Sequence, residues 1–81
     1  MISVESGQYY IVFAESDTGI VVTLDGTRNV NSDTPYIVFD CFEDAEKHAN
    51  QKVSEMPYIE CNIYNDKSVF IKVIRNDFHS K

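Results

Sequence analysis

The feature that most constrains this chain is an imbalance between its segments. One segment carries the 3.6-residue apolar period of a helix, whereas five apolar runs have the composition of strands. A five-strand sheet is about 24 Å wide, and one helix covers about 10–12 Å of it. The expected architecture is therefore α+β: a small antiparallel sheet of four to five strands with one helix packed on one face, in the order ββ(β)αββ. Eighty-one residues make one domain, 1–81, with a polar tail at 75–81 expected to fray. A chain this short buries only about 60–65% of its unfolded surface, so apolar surface left uncovered matters.

The strand-like runs are 9–14, 19–24, 36–39, 58–64 and 68–74. The first two are separated by Glu15-Ser16-Asp17-Thr18, a turn composition. A four-residue loop there sets Phe13 against Ile20 and Ile11 against Val22. Residues 25–35 read as a long loop. In the last pair, a three-residue loop at Asn65-Asp66-Lys67 sets Cys61 against Ile71 and Ile63 against Val69. That register also puts Glu60 opposite Lys72, a favourable cross-strand pair.

The helix is expected from about Cys41 to Met56, ending at Pro57. Its stripe of Phe42, Ala45, Ala49, Val53 and Met56 is the buried face. Asp40 followed by Glu43 reads as a capping box, and Glu43, Asp44 and Glu46 suit the positive end of the helix dipole. Cys41 sits at this helix start, but its acidic neighbours disfavour a thiolate. His48 lies seven residues on, about 10.5 Å along the axis and out of reach as a base. Cys61 shares a strand face with Ile59 and Ile63 and reads as core. Two Cys and two His at these separations match no zinc spacing, and no glycine-rich phosphate loop is present. No cofactor, metal site or catalytic residue is expected.

Net charge is −6, unevenly spread. Residues 1–46 hold nine of the thirteen acids and only Arg28 among the bases; residues 47–81 hold four acids and six bases. A phosphate backbone is repelled by the first half, so direct nucleic-acid binding is not expected. No apolar run is long enough to span a membrane, and Met1–Glu5 does not resemble a signal peptide. The expected compartment is the cytoplasm, with both thiols reduced.

Two surfaces are candidates for binding. If the 36–39 strand returns beside 19–24, Glu15, Asp17, Asp40, Glu43 and Asp44 converge on one acidic end that suits a basic protein partner. On the sheet face away from the helix, Tyr10, Val12, Tyr58, Tyr64, Phe70 and Ile74 form an aromatic surface. That surface is either covered by the long loop and the N-terminal residues or used as an interface, with a homodimer expected. The expected function is a non-enzymatic acidic protein-interaction module, of an inhibitor or immunity type. The alternative is a homo-oligomeric protein binding a small ligand or a divalent metal.

Overall fold

The computed structural model describes residues 4–24, 27–29 and 34–76. Strand β1 (Tyr9–Glu15) is followed by β2 (Ile37–Phe39), helix α1 (Phe42–Glu55), β3 (Ile59–Tyr64) and β4 (Phe70–Arg75). The sheet runs β2-β1-β3-β4, with every neighbouring pair antiparallel. The helix carries the chain over β1 and touches all four strands. An α+β fold with one helix on one face of an antiparallel sheet is what the segment pattern demands.

The core lies between the helix and that face. Ile11, Phe13, Ile59, Cys61 and Ile63 are fully buried there beneath Ala45, Ala49 and Val53 of α1. Phe42 and Met56 close the two ends of the stripe, and Ile37 and Phe39 extend it under β2. Two alanines on the helix leave its backbone close to the sheet. Cys61 Sγ lies 3.8 Å from the Ala49 carbonyl oxygen.

Four local expectations are corrected. First, 19–24 is not a regular strand. It makes isolated bridges only, Ala14↔Val21 and Val22↔Arg28. β1 continues through Glu15, so the turn is 16–19; the Gly19 N–H donates to Glu15 O and the Glu15 N–H to Ile20 O. Gly19 takes φ +76, which a glycine adopts without a Cβ penalty. The register thus moves by two positions, Val22 N–H bonding Phe13 O. An even shift preserves the face, so Val22 still enters the core.

Second, β2 pairs with the other half of the same β1 edge, Tyr9↔Phe39 to Ile11↔Ile37, and not beside 19–24. Third, the β3–β4 turn moves by one residue on each strand. Asn65 N–H bonds Val69 O, and Ser68 takes the positive φ of 60. An irregularity between Ile63 and Tyr64 then adds one more residue to β4. The total displacement is three, and an odd shift exchanges faces. Cys61 now opposes Ile74, so Ile74 is buried in the core and not on the aromatic face. Glu60 opposes and salt-bridges Arg75 at 3.0 Å, while Lys72 reaches Glu46 on α1.

Fourth, the N-cap of α1 is Cys41 and makes no side-chain cap bond. The Asp40 carboxylate instead accepts from Gln8 Nε2 at 3.1 Å. Of the expected tail, Arg75 ends β4 and Asn76 donates to Val53 O at 3.3 Å. Residues 77–81 lie outside the described residues, as do 25, 26 and 30–33 of the long loop.

Candidate functional site

The outer face of the sheet is built from the even positions of β1 and β3. Tyr10 is flanked by Tyr64 in a stacked contact (5.0 Å) and by Tyr36 edge-on (5.7 Å), and Tyr64 meets Phe70 edge-on at 5.9 Å. These four rings cross one end of the sheet from the β2 side to β4. The Tyr10 hydroxyl donates to Ser68 Oγ at 2.8 Å, which ties the row to the β3–β4 turn. Tyr10 and Val12 are themselves buried. The central strand is therefore not open for binding, and Tyr10 contributes stiffness and not contact area.

The open parts of the sheet lie at its two edges, at Val38 of β2, 39% exposed, and at the start of β4. Val69, Phe70 and Ile71 are 54%, 51% and 43% exposed, three consecutive large apolar residues where β3 alternates buried and half-buried. Tyr64 is half-buried behind Phe70. Tyr58 is exposed as well, but it precedes β3 at the opposite end from Tyr64, about 20 Å away along the strand. It does not join the aromatic row. Of the aromatic set read from sequence, Tyr64 and Phe70 meet at the open corner, Tyr10 lies beneath it, and Tyr58 and Ile74 lie elsewhere.

The five acids do not converge. Pairing of Tyr9 with Phe39 puts Asp40 beside the start of β1, while Glu15 closes its far end. Those ends are about 20 Å apart. Asp40, Glu43 and Asp44 stay together at the helix start, all exposed. Glu15 and Asp17 lie with Thr18, Arg28 and Tyr58 around an open depression of about 290 Å³. There, Arg28 grips Glu15 through two bonds, Nε–Oε2 at 2.9 Å and Nη2–Oε1 at 3.2 Å. Hydrogen bonds from Arg28 and then Thr18 hold the Glu15 carboxyl below the usual range. This acid is already paired within the chain.

Burial first, then the nearby Glu60 charge, pushes the Cys61 thiol up to about 12. Cys41 and Cys61 are both free thiols. His48 packs against the Phe39 ring at 5.2 Å. Its Nε2 is buried without a hydrogen-bond partner, and burial followed by Lys52 lowers its pKa. Phe39, Asp44, Lys47, His48 and Gln51 line a second open depression of about 290 Å³. Among the described residues no three His, Cys, Asp or Glu side chains group as a metal site, and no helix is long and apolar enough to cross a membrane.

Sequence reasoning missed Val69, Ile71 and Arg28. The signal for the first two was present: Val69-Phe70-Ile71 breaks the period of two. Three large apolar residues in a row on a surface strand mark a bulge or an uncovered edge. Arg28 lay in the loop region, where no period indicates a partner. No protein-family model, curated protein or solved structure matches this chain.

Proposed function

We propose that this chain is a non-enzymatic protein-interaction module whose contact surface is the β4 corner of the sheet: Val69, Phe70 and Ile71, backed by Tyr64. The observation that carries the reading is the run of three consecutive apolar side chains, each close to half exposed or more, at the start of an edge strand. Removing such surface from water is worth about 25 cal/mol per Å², and a domain this small has little reason to leave it wet. The stacked tyrosines behind it support the reading, since rigid aromatic anchors lose little entropy on binding. Action by occupancy is supported by the burial of Cys61 and by the pairing of Glu15 with Arg28 within the chain. A docking surface of five carboxylates loses its geometric support, because the acids divide between the two ends of β1.

The test compares two baits. Val69→Ser, Phe70→Ser and Ile71→Ser combined remove the apolar corner and leave the core side chains in place. Proteins captured from native lysate by the wild type should be absent from the triple variant, whose far-UV circular dichroism stays native. Identical capture by both, with both folded, would overturn the proposal.

A further inference from the structure

We infer that this edge is filled by a second copy of the chain, through antiparallel pairing of β4 with β4 about a two-fold axis at Val73. The inference rests on the reading of β4 as the contact surface and adds the occupant and the register.

The backbone comes first. The Ser16 N–H bonds Tyr58 O, and the Asn65 N–H bonds Val69 O. Backbone groups alternate in direction along a strand, so the even residues of β3 bond to β1 and the odd ones to β4. Ile63 opposes Lys72 and Cys61 opposes Ile74, so these two residues of β4 direct their N–H and C=O groups inward. Those of Val73 and Arg75 point away from β3, to the side where the described residues place no further strand. Unpaired groups of this kind are a template for another strand.

Charge on an edge strand usually prevents such pairing. Here both charges are tied back within the chain. Lys72 turns toward the helix to meet Glu46, and Arg75 is held by Glu60 of the neighbouring strand. The bulge shortens the pairing stretch but leaves residues 72–75 regular.

Charge narrows the choice of axis. An axis at Lys72 or Arg75 would place a cation against itself, which is unfavourable. An axis at Val73 sets Val73 against Val73, Lys72 against Ile74 and Ile71 against Arg75 of the second copy. No like charges then face each other. The whole-chain charge points to the same edge. With a net charge of −6, copies repel, but residues 58–76 hold Glu60 and Asp66 against Lys67, Lys72 and Arg75. Two molecules approach with least repulsion along this side, whereas the β2 edge lies beside Asp40, Glu43 and Asp44. A short strand pair centred on Val73 makes a small contact, so the dimer is of the weak, concentration-dependent class.

The experiment combines sedimentation with a cross-link. The wild-type mass should move from 9.3 kDa toward twice that value as concentration rises. In a Cys41→Ser background, Val73→Cys should give a covalent dimer under mild oxidation, because directly opposed residues bring their Cα atoms within disulfide reach. Lys67→Cys, in the turn, should cross-link roughly ten-fold more slowly for want of that geometry. A wild type that stays at 9.3 kDa at every concentration overturns the inference, whatever the cysteine variants do. So does a dimer in which Lys67→Cys cross-links as readily as Val73→Cys. A monomer throughout leaves the lysate comparison to decide the interaction reading by itself, so the two fail separately.

Discussion

Cys41 holds the N-cap position of α1 with φ −146 and ψ 158, the extended geometry of a capping residue, yet it makes no cap bond. A thiol is a weak acceptor, so the first-turn N–H groups gain little from it. Cys41→Ser supplies an oxygen at the same place and should raise stability by about 0.5–1 kcal/mol, read as a higher urea midpoint with unchanged slope. Asp40→Ala should change it by less than about 0.5 kcal/mol, because its bond to Gln8 is an exposed one. The reverse order would restore Asp40 as the cap. His48 makes a prediction of a different kind. Its folded pKa lies below 6.5, through burial first and Lys52 second, with Glu55 opposing. Asp44 and Lys47 also border its depression. Below pH 6.5 the unfolded chain therefore binds this proton more readily than the folded one. Stability falls as pH drops through that value, and this contribution levels off beneath the folded pKa. His48→Gln should flatten the loss in that window; an equally steep loss in the variant would assign it to other groups.

At the scale of elements, what was legible followed from covalent geometry. The stripe of Phe42, Ala45, Ala49, Val53 and Met56 stands as read, since 100° per residue leaves no freedom to place it otherwise. The alternation in β3 identified Ile59, Cys61 and Ile63 as one face, and the two-residue repeat of a strand put Ile11 and Phe13 of the continuously apolar β1 on one face for the same reason. Pairing was less legible, because a turn and a bulge each change the register by single residues while leaving the pattern within each strand untouched. In β4, both Ile71 and Ile74 are plausible partners for Cys61, and both Lys72 and Arg75 are plausible partners for Glu60. Composition does not choose between them. The candidate site suffered most, because which acids and which aromatics meet depends on register and strand order. The two registers differ measurably. A double-mutant cycle on Glu60 and Arg75 should give a coupling of up to about 1 kcal/mol, aided by the low exposure of Glu60. The cycle on Glu60 and Lys72 should give none. Coupling in the second cycle alone would restore the unbulged register.

For the molecule as a whole, the sign of its salt response separates the ways in which copies can meet. Charge is polarised: Asp40, Glu43 and Asp44 are exposed at the helix start beside the β2 edge, while Lys67, Lys72 and Arg75 mark the β4 side. If the basic side of one copy met the acidic side of the next, attraction would drive association and added salt would weaken it. Such a contact is also heterologous, so the mass would climb past two chains without closing. Pairing of β4 with β4 is the opposite case. Lys72 and Arg75 are already paired with Glu46 and Glu60, and the long-range term is repulsion between two bodies of net charge −6. Screening removes that repulsion, the Debye length falling from about 10 Å at 0.1 M to about 3 Å at 1 M. The backbone pairing and the Val73–Val73 contact are not weakened by the same change. Association should therefore tighten as salt rises, with the midpoint concentration of the sedimentation curve moving down and the limiting mass staying at two chains. Weakening with salt, together with masses above two chains, would replace the symmetric dimer by an open assembly of acidic side on basic side.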